Sequence, residues 1–413
     1  MLSDQDRAVL ARFEAHGTPS ESRRARIVMM RAEGATTAEI AVAVALSESR
    51  VRYWTRAWNE RGQAIFPDQS AASDDATQME SEPEPVPGVD VPRLPLELRD
   101  KVGMSPDDPM AEAGRKALFF NFERMLLNEP VSRLGENIEG VHDMRVAMRR
   151  MRSALRLFGP FFDREAIDPF RKDLRTIADA LGTVRDLDVF KEKAERFMAA
   201  RPEADLTPLL EGWEQRYARG RRKLIGTLDK GKYARFVARF HDFLTTPGAG
   251  ALPLPEPSET SAYLVRHVAP RLIYEHYEQV RAYEAVADSA AIPTLHALRI
   301  DFKRLRYTLE FFEEVLGPEA RQVVNEIKTM QDHLGDLNDA AVAETMLREF
   351  VDHHNETYSG VPLVMRPDIS GVLAYAAAKD EEKRRLLETF PEAWANFNRD
   401  QVRRDLALAV SVL

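Results

Sequence analysis

The chain of 413 residues contains no cysteine, which excludes disulfides, thiolate catalysis and cysteine-ligated zinc. It also lacks a long apolar run. The longest, Ile40 to Leu46, falls far short of the roughly 20 residues that a transmembrane helix needs. Met1 to Asp6 carries no basic-then-apolar leader pattern, so the expectation is a reduced, cytoplasmic protein with no membrane partner. No segment sustains the alternation of a half-buried strand, and most apolar residues recur at three- and four-residue spacing. Charged residues are abundant, at 30%, and together with frequent Ala, Leu, Arg and Glu they lean the chain towards helix.

A net positive charge is missing too, which at first argues against a polyanionic ligand: the formal balance is −9. The deficit is local. Residues 67–112 hold twelve Asp and Glu against three Arg and Lys, so this segment alone carries the whole −9. Global charge therefore says little, and local clustering has to decide.

Composition breaks divide the chain into residues 1–66, an acidic Pro-rich linker over 67–110 expected to be disordered, and 111–413, itself split into halves 111–245 and 259–413. In the first part the pattern predicts a helix over 21–33 ending at Gly34. A short helix, 38–45, follows and is capped by Thr37; a longer one, 48–61, is capped by Ser47 and closed by Gly62. Two capped helices with a tight turn between them match a helix-turn-helix. The run Arg26 to Gly34 with Glu39-Ile40-Ala41, Ser47, Val51 and Trp54 resembles transposase-type and homeodomain-like modules of that kind. Arg50, Arg52, Tyr53 and Arg56 of the third helix are its groups for contacting DNA. The footprint is weak, with ten basic against eight acidic side chains over 1–66.

The strongest signal is an internal repeat about 154 residues apart. His142, Arg145, Arg149, Arg150 and Arg152 recur as His296, Arg299, Lys303, Arg304 and Arg306, in the pattern His-x-x-Arg-x-x-x-basic-Arg-x-Arg. A second block follows each: Leu174-Arg175 through Leu181-Gly182-Thr183-Val184-Arg185-Asp186 aligns with Ile327-Lys328 through Leu334-Gly335-Asp336-Leu337-Asn338-Asp339. On a helix, His142, Arg145, Arg149 and Arg152 fall within about 80° of one face, beside an apolar stripe of Met144, Met148, Met151 and Leu155. His296, Arg299, Lys303 and Arg306 lie likewise beside Leu298, Phe302, Leu305 and Leu309. Arg150 and Arg304 point well away from these ridges.

A solvated surface row would intersperse acids at four-residue spacing. Here Arg145 faces Arg149 and Arg152 faces Arg156, each pair costing about 0.2–0.5 kcal/mol. A self-repelling ridge present twice points to an external anion. Arginine forks match phosphate oxygens, and neither ridge carries the Tyr or Trp that stacked bases would require, so a bare phosphate polymer fits better than single-stranded nucleic acid.

With both blocks in place, residues 111–413 resemble the CHAD family, the conserved-histidine α-helical domain. The resemblance implies an all-α fold of two four-helix bundles related by pseudo-twofold symmetry, with basic residues lining a central groove that binds inorganic polyphosphate. It implies association with polyphosphate granules as well. Carried over residue by residue, His142, Arg145, Arg149, Arg150, Arg152 and Arg175 act in the first half, and His296, Arg299, Lys303, Arg304, Arg306 and Lys328 in the second. Asn338 stands where the first copy has Arg185, so basic character is not shared there. Many relatives add a hydrolase that needs a strand-borne Glu-x-Glu-x-Lys; the nearest string here, Glu80-Ser81-Glu82-Pro83-Glu84, lacks both the lysine and the strand.

No enzymatic activity, metal or cofactor is therefore expected. Two rival readings stand beside polyphosphate binding. One is a metal-dependent phosphohydrolase built on the doublets His142-Asp143 and His241-Asp242, against which the arginines following His142 would repel a cation. The other is a DNA-binding regulator whose larger domain senses a polyanion.

Overall fold

The computed structural model describes residues 3–16, 19–44, 51, 54–55, 58–59, 62, 99–135, 138–254, 256 and 262–413. The chain divides into two compact units, Met1–Pro87 and Gly88–Leu413. Among the described residues no helix is long and apolar enough to cross a membrane. No strand forms among them beyond two isolated bridges, Pro109 to Leu264 and Phe162 to Ala251.

The first unit contains α1 (Asp4–His16), α2 (Pro19–Ala32) and α3 (Thr37–Ala43), with helical backbone again at 51, 54–55 and 58–59. Helix α1 is not foreseen by the sequence reading. Ser3 and Asp6 start it by exchanging hydrogen bonds, and Leu10 and Phe13 pack against Ala25 and Val28 of α2. Helix α2 closes on Gly34 at φ 93°, where the Gly34 and Ala35 N–H groups donate to the carbonyls of Arg31 and Met30 at 3.2 and 3.0 Å. The cap of α3 is Thr36 rather than Thr37: the Thr36 N–H donates to the Glu39 carboxylate at 2.8 Å and the Glu39 N–H to the Thr36 hydroxyl at 3.3 Å. Thr37 is already helical and its hydroxyl accepts from Arg31 instead. Arg50, Arg52, Tyr53 and Arg56 lie outside the described residues.

The second unit is all-α and duplicated. Its first half comprises α4 (Met110–Leu134), α5 (Ile138–Leu157), α6 (Arg164–Ala200), α7 (Thr207–Leu228) and α8 (Gly231–Thr245). The second comprises α9 (Val265–Arg281), α10 (Ile292–Phe312), α11 (Ala320–Thr357), α12 (Ser370–Phe397) and α13 (Asp400–Val410). Each half is a four-helix bundle whose last helix is broken in two, at Asp229-Lys230 and at Asn398-Arg399.

The linker expected to run to residue 110 ends sooner. Gly103 and Met104 donate backbone N–H groups to the Glu314 carboxylate at 2.8 and 2.9 Å, Met104 is buried, and Lys116 pairs with Asp108 at 2.7 Å. Residues 99–109 therefore belong to the helical unit. Their acidic, Pro-containing composition conceals this, because the carboxylates find partners only in the folded state.

One continuous apolar core joins the halves. Phe158, after α5, packs edge-on to Phe311 and Phe312 of α10 at 5.8 and 5.7 Å between ring centres. Gly114 of α4 allows this approach, since a Cβ there would sit 2.6 Å from the Phe158 Cβ. The long helices α6 and α11, of 37 and 38 residues, extend about 55 Å and leave this core. Their outer stretches meet α7 and α12 in a second cluster, where Phe190 stacks on Trp213 at 4.3 Å beside Leu347, Val372 and Tyr375.

Candidate polyanion-binding groove

The stripe Met144, Met148, Met151 and Leu155 is buried, as the helical spacing requires, and Leu298, Phe302, Leu305 and Leu309 are buried alike. With those faces in the core, α5 and α10 turn their basic ridges to a shared groove of about 1070 Å³. Of the residues expected there, His142, Arg145, Arg149, Arg299 and Lys303 line it. Both halves thus contribute to one concavity.

Lys303 records how closely they approach. Burial first, then Arg299, Arg149, Arg306 and Arg145, push its ammonium down to about 8 from the usual 10.5. Two of those four neighbours belong to the opposite half. Arg149 is lowered too, by the protein packed around it and then, among its cationic neighbours, by Arg306 and Arg145, although its side chain stays open to solvent along the groove. His142 falls to about 4 through burial and the positive field of Arg185, Arg149 and Arg145, so it is neutral at neutral pH. It can take part in hydrogen bonding there, but it adds no charge.

The second repeated block supports these ridges. Asp186 pairs with Arg145 at 3.3 Å, and Gly182 leaves room beside the same guanidinium, where a Cβ would lie 3.8 Å away. In the second half Asp339 instead receives Lys193 of α6 at 2.7 Å, a bond between halves. The Asn338 amide oxygen accepts from His296 Nδ1 at 2.7 Å, whereas its counterpart Arg185 repels a proton on His142.

The other expected residues are placed elsewhere. Arg150 pairs with Glu310 at 2.8 Å, clasping α5 to α10, and Arg306 shares that carboxylate at 3.7 Å. Arg304 pairs with Asp301 at 2.8 Å, and with Arg152 it lines a neighbouring cavity rather than the groove. Arg175 is exposed, 3.9 Å from Asp179; Lys328 is exposed on α11; and His296 reaches the groove only through Asn338.

Four cations of the groove were not singled out in the sequence: Lys193 of α6 and Arg216, Arg219 and Lys223 of α7. The spacing of the last three, which puts them on one helix face, was the available signal. Arg185 completes the set. In all, nine arginine and lysine side chains face two carboxylates, Asp186 and Asp339. A guanidinium nitrogen of Arg185 and the Nε of Arg299 are buried without a hydrogen-bond partner among the described residues. Trp213, Phe190 and Tyr375 reach the groove wall but are at least nine-tenths buried, so they offer no face on which bases could stack.

Glu139, His142 and Asp143 bring ligand atoms within 4.8 Å of one another, which is the geometric basis of the phosphohydrolase reading. Against it, Arg185, Arg149 and Arg145 oppose a dication at His142 as they oppose a proton, and Glu139 and Asp143 are engaged by other groups.

Comparison with known proteins bears on both units. A homeodomain-like domain model matches residues 18–65. The "Uncharacterized protein Rv2226" of Mycobacterium tuberculosis H37Rv is 29% identical over 250 residues, covering 58% of this chain and 45% of that protein; a second M. tuberculosis relative, MT2285 of strain CDC 1551, is 28% identical over the same span. The match thus spans less than half the length of these relatives. Among solved structures, PptA from Streptomyces chartreusis superposes with a TM-score of 0.50 at 16% identity, covering 70% of this chain and 99% of that one, a likeness of fold. The CHAD domain from the plant Ricinus communis gives a TM-score of 0.49 at 22% identity, over 76% of this chain and 96% of that one. The CHAD domain model itself matches residues 116–348, more than half the chain and both repeated blocks, and the chain belongs to the CHAD domain family.

Proposed function

We propose that the groove binds inorganic polyphosphate without hydrolysing it, and that the protein associates with polyphosphate granules. The observation that carries this reading is the convergence of nine cations from both halves on one groove, close enough to depress Lys303 to about 8. Such a site is self-repelling while empty of anions, and a flexible chain of phosphates relieves the repulsion at every step. Charge-assisted hydrogen bonds to arginine contribute about 1.5–3 kcal/mol each. A chain long enough to touch both halves makes its second engagement intramolecular, which favours long polymers.

Titration of the purified full chain with polyphosphate of several lengths, with duplex DNA and with orthophosphate tests the reading. Long chains should bind tightest, with a log–log salt slope of roughly −4 to −6 if six to eight phosphates are neutralised. A slope near −1 would mean that the halves do not share a ligand. Sustained, divalent-metal-dependent release of orthophosphate would overturn the non-enzymatic part and return attention to Glu139, His142 and Asp143.

A second reading rests on the homeodomain-like match over residues 18–65: the first unit binds DNA and the larger domain senses the polyanion. Gel-shift selection of a duplex sequence, lost on Arg52→Ala with Arg56→Ala, would support it.

A further inference from the structure

A second cavity, of about 390 Å³, opens between α5, α9 and α10 and shares Arg149 and Lys303 with the groove. Its chemistry is of another kind. One wall is cationic, formed by Arg152, Arg156 and Arg304. Arg156 sits among like charges, its own charge disfavoured by burial and by Arg304 and Arg152. Apolar side chains line the cavity too: Leu272, Phe311 and an Ile300 that is 37% exposed, one helical turn from Arg304. Ser153, Glu275, His276, Tyr307 and Thr308 complete it, with His276 Nδ1 engaged by the Thr308 hydroxyl at 2.8 Å. The Glu275 carboxylate is half-exposed and 3.8 Å from Arg271. The Tyr307 hydroxyl belongs to a residue 5% exposed and has no hydrogen-bond partner among the described residues.

A bare phosphate chain gains nothing from the apolar side chains and is repelled by Glu275. A ligand that is anionic at one end and flat, apolar and hydroxyl-bearing at the other uses cations and apolar side chains alike. We infer that this cavity binds a nucleoside 5′-polyphosphate. The base lies against Leu272 and Ile300, ribose hydroxyls donate to Glu275, and the phosphates run past Arg156 and Arg304 towards Arg149 and Lys303. The volume falls in the range of about 300–1,000 Å³ typical of such pockets. Because Arg149 and Lys303 serve both cavities, a bound nucleotide competes with a phosphate polymer for them, which makes polymer binding responsive to nucleotide concentration.

The inference stands apart from the groove reading, and calorimetry on the full chain separates the two. The probes are ATP, inorganic tripolyphosphate as the control without a nucleoside, and long-chain polyphosphate. ATP should bind about tenfold tighter than tripolyphosphate, since the nucleoside buries apolar surface that the control lacks. Ile300→Trp, which fills the cavity from its exposed wall, should abolish that preference while leaving tripolyphosphate and long-chain affinity within about twofold. Glu275→Gln should reduce the ATP preference alone. ATP binding no tighter than tripolyphosphate, or a preference that survives both variants, overturns the inference. ATP preference with no long-chain binding would sink the groove reading and leave this one standing.

Discussion

The two halves of the helical unit carry the same motif on the same helices but treat it differently. In the first half Arg145, Arg149, Arg185, Lys193, Arg216, Arg219 and Lys223 all reach the groove; in the second only Arg299 and Lys303 do. Duplication preserved the apolar stripe that docks each ridge helix, while the second ridge was drawn into internal pairing. Arg306 shares Glu310 with Arg150, Arg304 takes Asp301, and His296 bonds Asn338 in place of facing an arginine. A repeated motif thus guarantees a repeated fold, because the core enforces it. It does not guarantee a repeated surface, because each surface charge is free to find a new partner.

The asymmetry makes its own predictions. Arg299→Glu with Lys303→Glu strips the second half of every cation it places in the groove. Losing two charge-assisted contacts and adding two repulsive ones should lower long-chain polyphosphate affinity by roughly a hundredfold or more, down to the level of chains of a few phosphates. The matching pair in the first half, Arg145→Glu with Arg149→Glu, leaves five other first-half cations in place and should cost less, though at least about tenfold. Fluorescence titration at fixed salt compares them, with circular dichroism verifying that both stay helical. Equal, undiminished binding by either folded variant would separate the halves into independent sites.

A smaller effect is expected at the rim. Arg216→Ala with Lys223→Ala should weaken long chains by a few-fold and leave tripolyphosphate unchanged, because only a long chain extends from Lys303 to α7. Equal losses for both ligands would place the two side chains beside the central ridge rather than beyond it.

The smallest effect is in pH. Lys303 is charged below about 8 and neutral above it, so polyphosphate affinity should fall as pH rises from 7 to 9, by about two- to threefold for a bound anion that raises this value by about half a unit and by at most about tenfold for one that holds the proton on throughout. Lys303→Arg, charged throughout this range, should flatten the profile. His142, neutral above about 4, should contribute no slope between pH 6 and 8.

Read alone, the sequence determined the local and periodic facts. These are the all-α class, the buried stripes of α5 and α10, the duplication, and the self-repelling ridges, because helical periodicity places i, i+3, i+4 and i+7 on one face without reference to anything distant. It also located Gly34 as a helix terminator, since a residue at φ 93° favours glycine wherever it occurs. Only the tertiary structure decided which charges face a ligand and which face each other. Arg150 and Arg149 are neighbours in the chain, yet one clasps Glu310, 160 positions away, and the other lines the groove. Lys193 and Arg216 join the site because α7 packs back along α6, Gly220 against Thr183 and Leu187, and residues 99–109 fold because Glu314 awaits their N–H groups. Charge pairing acts through space at a few ångströms, and the separation of two residues along a sequence carries no record of that distance.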